Sequence, residues 1–471
     1  MGEVILVHHV DTEGPLNESL DATFLRIEST FNVNISVERT GGNLKKIFNG
    51  DIPIDGLNLE ILNATFNSHL LSYNRTWDEV EDMLSRLFEF NSGSNHIDSY
   101  GQNYIYTWHI MDHYGFEENP RGRILGNHGV LDKYLSFFES KNIKEQEIQF
   151  HYHPLHPTRN ASLCATSYDR SLSNFYDILT RRAFERHLFP SVYRPGFHTI
   201  RPDAAAIIER WFPFEASNQS VEDSPEKSVQ SDEANCRFGD WNGALNNWEV
   251  YHPDHRDWRN VGTCKRTISR VLNVYTRFRN ISEIEIRKAF LRARSLEKNV
   301  LLGVTNHDFR DMIFEQNYLQ ILIENVRRDF PDVTLRYCGA NEGFNRVLYG
   351  DNIVSTLDYD VSLNENVLTI KVIGNMYSVQ PYFAYEDTSG NMYHDNLDFP
   401  INSGYYKYTF DIHTCLLEKL NRILIVANDN FGNQTLCIYA KHEKSIVLET
   451  KKRNTWNQQF AKRYSDLGFG N

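Results

Sequence analysis

Apolar runs of strand length alternate with amphipathic helical segments through most of the first 347 residues of this 471-residue chain, and that alternation admits few folds. The strand-like runs are Val4–Val10, Tyr104–Met111, Glu147–Tyr152, Ser191–Arg194, Trp248–His252, Val300–Thr305 and Val333–Cys338. They are rich in β-branched and aromatic residues and short enough to be buried strands. Between them, residues 318–330 set Leu319, Leu322, Val326 and Phe330 on one helical stripe, and residues 172–188 do the same with Leu172, Phe175, Leu179 and Ala183. Pro202 opens a further helix, where its missing N–H costs nothing. Thr76 and Glu79 have capping-box spacing ahead of Val80, Leu84 and Leu87. Strand–helix alternation predicts parallel strands with helices outside them, and about seven strands fit a barrel better than an open sheet.

The length exceeds what one ordinary core accommodates. After residue 348 the pattern changes to short runs, namely Asn366–Ile373, Gln380–Tyr385, Tyr405–Ile412, Arg422–Ala427 and Thr435–Tyr439, with turns at Asp387–Asn391 and Asn428–Asn433. Such spacing predicts a small antiparallel β-sandwich. The expected class is α/β: a β/α barrel over residues 1–347, an all-β sandwich over 348–445 and a tail over 446–471 that carries Lys451–Arg453. Two insertions interrupt the barrel. Residues 16–100 are long enough for a cap or subdomain, and 216–236 include the polar stretch 218–235, expected to be a mobile loop.

The net charge of −13 is the wrong sign for a broad nucleic-acid surface. The N-terminal stretch Met1–Gly14 has neither a basic leader nor a long apolar span, so it predicts no secretory signal and no membrane span, and hence a cytoplasmic protein. The six cysteines, Cys164, Cys236, Cys264, Cys338, Cys415 and Cys437, are scattered without a C-x-x-C pair. Free thiols are expected rather than a structural zinc site or a disulfide framework. Aromatic residues, at 13%, are expected mainly in the cores.

A β/α barrel places its reactive groups at the C-terminal ends of its strands. Those ends are crowded with titratable residues here: His8-His9-Val10-Asp11-Thr12-Glu13 on the first run, His109 and Asp112-His113 on the second, His151-Tyr152-His153-Pro154-Leu155-His156 on the third, Arg194 to His198 on the fourth, and Asn306-His307-Asp308 later. Convergence of so many on one rim predicts a metal site. A divalent ion takes neutral imidazoles and at least one carboxylate, and a catalytic site leaves a position for water. His151 and His153 alternate along an extended segment and so share a face. Either Glu13 or Asp11 supplies the oxygen ligand, the other carboxylate being free to act as a base. His156 competes as a ligand if the chain turns at Pro154.

The order and setting of these residues resemble the polysaccharide deacetylase (NodB-homology) superfamily over roughly residues 3–345. Asp11-Thr12-Glu13-Gly14 is similar to the family's first motif in its D-x-E form, and Glu147-Ile148-Gln149-Phe150-His151 to the second. Leu155 stands where the usual second motif has another histidine, but His151-Tyr152-His153-Pro154 has the His-x-His-Pro form of divergent members. Tyr193-Arg194-Pro195-Gly196 resembles the third motif and Val304-Thr305-Asn306-His307-Asp308 the last; Asp240-Trp241 is a looser counterpart of the fourth.

The resemblance implies a distorted seven-stranded barrel. It implies Asp11 as catalytic base oriented by Arg194, His307 as general acid, and a metal held by Glu13, His151 and His153. Zinc is the first choice, with cobalt, nickel or manganese as alternatives. Substrate-side roles are expected for His109, Tyr193, His198, Trp241 and Asp308. The implied activity is hydrolysis of an N-acyl group, acetyl or formyl, from an amino sugar or sugar conjugate in glycan biosynthesis. Two rivals are a glycosidase on the same barrel, with Asp11, Glu13 and Asp308 as its carboxylates, and a non-catalytic carbohydrate-binding protein. Self-association is left open.

Overall fold

The computed structural model describes residues 2–93, 97–143, 146–163, 167–222, 239–276, 279–350, 355–398 and 404–454. Seven parallel strands close a barrel: β1 (Glu3–Thr12), β2 (Tyr106–Met111), β3 (Glu147–Tyr152), β4 (Val192–Pro195), β5 (Phe214–Asn218), β6 (Thr267–Asn273) and β7 (Val300–His307), with β7 returning to β1. An eighth strand, β8 (Thr334–Cys338), pairs with Glu3–Val7, while β2 pairs with His8–Thr12 on the same edge of β1. The long first strand thus serves two partners in succession, which opens the barrel at its base. Helices Trp77–Asn91, Gly129–Ser140, Leu172–Arg186, Pro202–Trp211, Glu283–Leu296 and Met312–Arg327 lie between successive strands. Ile5, Val7, Val192, Phe214, Ala216, Val271 and Leu301 fill the lower interior with Ala340 and Phe344 of the helix Ala340–Leu348. The base is therefore a packed plug, and the polar mouth lies at the other end.

The run Trp248–His252 forms no strand. Trp248 has φ of 62°, and only Tyr251 makes an isolated antiparallel bridge, to Ile268. The indole of Trp248 donates to the Glu285 carbonyl (2.9 Å) under the Arg270 guanidinium, so the segment packs through its ring rather than its backbone. The places in the barrel are taken by β5 and β6. These do not read as apolar runs because they carry buried ion pairs: Glu215 with Arg266 (2.8 Å) and Arg270 with Glu285 (2.6 Å). Elsewhere the helical expectations hold. Helices occupy Leu172–Arg186 and Met312–Arg327, and Pro202 is the first helical residue of Pro202–Trp211. At Thr76 the side chain accepts from Glu79 N–H, but the Glu79 carboxylate reaches Arg75 N–H instead of returning to Thr76.

Within the first insertion, helices Leu20–Phe31, Gly41–Asn49, Leu59–Thr65 and Ser68–Leu71 enclose a small core of Phe24, Ile27, Ile35, Ile47, Leu62 and Phe66. Asn74 ties this unit to the barrel mouth: its backbone N–H donates to the Phe309 carbonyl (2.9 Å) and its amide to that of Asp308 (3.0 Å). Of the second insertion, residues 223–238 lie outside the described residues, as do Cys164, Cys236 and the tail from 455. The four other cysteines are free thiols. Among the described residues no helix is long and apolar enough to cross a membrane.

The C-terminal part adds eight antiparallel strands: β9 (Asp358–Asn364), β10 (Val367–Ile373), β11 (Tyr382–Asp387), β12 (Met392–Asp395), β13 (Tyr405–Thr409), β14 (Leu420–Asn428), β15 (Gln434–His442) and β16 (Ser445–Asn454). They form a three-stranded sheet, β13-β10-β9, and a five-stranded sheet, β12-β11-β14-β15-β16. The strand β16 continues the sheet past residue 445. It is a charged edge, with Lys451 paired to Asp358 (2.6 Å), and charge of this kind discourages further strand pairing.

The five-stranded sheet is buried on both faces. Phe383, Ile423 and Ile425 meet the small sheet, whereas Tyr382, Ala384, Leu424 and Val426 pack on Phe184, Phe189 and Trp211 of the barrel layer. At the seam the Asn428 amide donates to the carbonyls of Pro190 (2.9 Å) and Trp211 (3.1 Å). Replacing it with alanine strands both carbonyls away from water. Asn428→Ala is therefore expected to lower stability by about 2–3 kcal/mol, read from the shift of the urea unfolding midpoint; an unchanged midpoint would show the seam to be hydrated.

Candidate metal centre at the barrel mouth

Strand register alone brings the rim together. Asp11 lies opposite His109 on β2 and His307 on β7, and His151 lies opposite Met111 and Arg194. On β1 the alternation sends His9 and Asp11 into the barrel and His8 out toward Tyr104 (3.0 Å). Arg194 is wholly buried and reaches across the mouth to grip Asp11 with both Nε and Nη2, the latter at 3.0 Å, while Nη1 donates to the Ala216 carbonyl (2.9 Å). Burial alone would push the Asp11 carboxyl up; the Arg194 charge outweighs it and holds the group well below the ordinary carboxylate range.

Glu13, His151 and His153 form the candidate metal-binding cluster. The two imidazole Nε2 atoms are 2.9 Å apart, and Glu13 Oε1 lies 3.9 Å from that of His151 and 3.7 Å from that of His153. Ligand atoms around one tetrahedral zinc sit about 3.4 Å apart at bond lengths of about 2.0–2.1 Å, and the three separations bracket that value. His151 donates from Nδ1 to the Arg194 carbonyl (3.1 Å), which leaves Nε2 as the lone-pair nitrogen, the arrangement that orients a metal-binding imidazole. His153 is neutral: burial outweighs the attraction of Glu13 and takes its pKa down to about 3. The donor set of two imidazoles and one carboxylate oxygen fits a divalent ion. His156 stands apart, hydrogen-bonded to Thr158 (2.9 Å).

The second oxygen of Glu13 is occupied. Arg123 donates to Oε2 (2.5 Å) and to the Gly14 carbonyl (3.2 Å), with its guanidinium over the Phe309 ring. Burial would raise the Glu13 carboxyl, but Arg123 overrides it and keeps the group ionised. His113 donates to the Glu13 carbonyl (2.9 Å). Asp308 completes the clamp: its two oxygens accept from Glu13 N–H (2.9 Å) and Gly14 N–H (2.8 Å), and Tyr134 adds a third bond (2.9 Å). Arg123 and Arg310 were not legible in the sequence, because both sit in loops without a periodic or motif signal.

The loop after β4 is built around the cluster. A Cβ on Gly196 would stand 2.2 Å from the His153 ring, so only glycine lets the backbone pass. Phe197 and His198 follow with φ of 52° and 54°, a left-handed conformation that bulky residues rarely adopt and that costs about 1–2 kcal/mol each. This places the half-buried Phe197 ring against His153, centroids 4.6 Å apart, and His198 Nδ1 3.2 Å from Arg194 Nη2.

The other expected substrate-side residues are placed as follows. His109 is buried and hydrogen-bonded to His9 (2.9 Å). Tyr193 points outward, stacked on Phe212 and bonded to Tyr168 (2.6 Å). Trp241 is buried and donates to the His198 carbonyl (3.1 Å). His307 faces the mouth, with Nε2 3.7 Å from Asp11 Oδ2. Burial, then Arg310, depresses its pKa to about 3.

Elemental analysis is expected to find about one divalent ion per chain after zinc loading, and none in a His151→Ala, His153→Ala double variant. Gly196→Ala, which displaces His153 without removing a ligand, should weaken zinc at least about tenfold in a competition titration. Equal affinity in that variant would remove His153 from the ligand set.

In sequence comparison the chain matches no protein-family model and no curated protein, so its chemistry rests on the geometry of this site.

Proposed function

We propose that this chain is a metal-dependent hydrolase of the polysaccharide deacetylase type that removes an acetyl or formyl group from the nitrogen of an amino sugar or sugar conjugate. The observation that carries the reading is the meeting of two imidazole Nε2 atoms 2.9 Å apart with one oxygen of Glu13, beside a carboxylate, Asp11, that a buried arginine holds ionised. A divalent ion in this site would supply Lewis acidity, lowering the pKa of water and polarising a carbonyl. Glu13, His151 and His153 would hold it. Asp11 takes a proton from the attacking water, Arg194 fixes the direction of that carboxylate, and His307 faces the same volume from β7. The cationic partners of Asp11 and Glu13 keep both acids charged without spending the inward-facing oxygen of Glu13.

This reading is favoured over a glycosidase on the same barrel by the state of the third carboxylate. Both Asp308 oxygens are spent on backbone N–H groups and Tyr134, so Asp308 is not free to stand across a sugar ring from Asp11 as the second carboxylate of a glycosidase.

With N-acetyl and N-formyl amino sugars, the expected product is acetate or formate with a free amine; appearance of a new reducing end instead would favour the glycosidase. Asp11→Asn and His307→Ala are each expected to lose about 10²-fold or more of kcat while binding zinc as the wild type does. Loss of the metal in either would contradict the assigned roles.

A further inference from the structure

His307 is held by a cation. Arg310 Nη2 lies 3.2 Å from His307 Nδ1. Arginine carries only N–H donors and stays protonated, so the hydrogen bond requires a lone pair on Nδ1. The ring proton is then on Nε2, the nitrogen that faces Asp11 Oδ2 at 3.7 Å. A doubly protonated ring has no lone pair at Nδ1 and would turn an N–H against the guanidinium.

The guanidinium is not free to swing away. Arg310 is buried; its Nε donates to Glu315 (3.4 Å) and its guanidinium lies over the Phe309 ring, 5.2 Å from the centroid. Glu315 is itself wholly buried and bonded to His69 (3.0 Å) of the inserted subdomain. A ring meant to carry a second proton has a carboxylate or carbonyl at its far nitrogen; this one has the opposite.

We infer that His307 works as a neutral hydrogen-bond donor through Nε2–H to the oxygen that becomes negative during acyl transfer, and that Asp11 alone carries the proton from water to the departing amine. The inference rests on the hydrolase reading above. In the first step water gives one proton to the Asp11 carboxylate, its oxygen bonds to the acyl carbon, and the carbonyl π pair moves onto oxygen, which accepts the hydrogen bond from His307. In the second, that pair re-forms the carbonyl, the C–N bond breaks with its pair on nitrogen, and nitrogen takes the proton from Asp11. The carboxylate is regenerated, the His307 proton never leaves, and the sum is amide plus water to amine plus carboxylic acid.

Two measurements test this. The first needs no substrate or metal. In ¹⁵N-histidine-labelled full-length protein at pH 7, with resonances assigned by comparison with His307→Gln, His307 is expected to show one protonated nitrogen, Nε2, and one unprotonated, Nδ1. Two protonated nitrogens, or a proton on Nδ1, would overturn the proposal. The second is kinetic, on zinc-loaded enzyme with chitotetraose and with p-nitrophenyl acetate, whose leaving group needs no proton. A neutral donor predicts that His307→Ala loses about 10²–10³-fold on both, whereas His307→Gln, which keeps an N–H but cannot act as an acid, stays within about tenfold of wild type. A proton donor predicts that Gln is as inactive as Ala on the amide and that neither matters on the ester; that pattern overturns the proposal. A wild type inactive on both substrates would count against the hydrolase reading, while the nitrogen spectrum would still decide the state of His307.

Discussion

The geometry of the mouth depends on one buried ion pair, Asp11 with Arg194. β1 and β4 stand on opposite sides of the closed barrel, three strands apart by one route and four by the other. A guanidinium with no exposed surface needs counter-charge and acceptors, and it finds both carboxylate oxygens of Asp11 and the Ala216 carbonyl. Removing one partner of such a pair typically costs 3–5 kcal/mol, because the other is left charged and dry. The bond across the opening also sets where the ring of His151 sits, through the carbonyl of Arg194 itself.

Around that brace, each candidate ligand is oriented by something that does not itself face the cluster. Glu13 is turned by Arg123 and its backbone is fixed by Asp308 and His113. His153 is given room by Gly196 and covered by Phe197 on a strained turn. The C-terminal sandwich takes part at a distance. Asn428 bonds the Pro190 carbonyl, and Gln434 that of Phe189, just before Val192 opens β4. The sheet thereby anchors the entry to the strand that carries Arg194, which gives the second domain a mechanical part in the site.

Two arginines, Arg194 and Arg310, each present an N–H to a histidine Nδ1. Because arginine accepts no hydrogen bond, these contacts define which ring nitrogen keeps its lone pair. Together Arg194 on Asp11 and Arg123 on Glu13 bring positive charge to the cluster, so both carboxylates stay ionised, the state in which Glu13 can hold a divalent ion.

The strand–helix alternation, the strands β1, β2, β3, β4, β7 and β8, the all-β second domain and the gathering of Asp11, Glu13, His151, His153 and His307 at one rim were legible in the sequence. Each depends on local periodicity or on residues adjacent in the chain at a strand end. The strands β5 and β6 were not, because Glu215 and Arg270, which alternate with their inward apolar residues, and Arg266 just before β6 are buried charges, tolerable only once the partners meet in space. The same reason hid Arg123 and Arg310. A charged side chain in a loop has no local preference that marks it, and only closure of the barrel decides which carboxylate or ring it faces. Register placed Asp11 beside His307, but the charge on the far side of His307 was set by tertiary packing, through contacts that no spacing along the chain encodes.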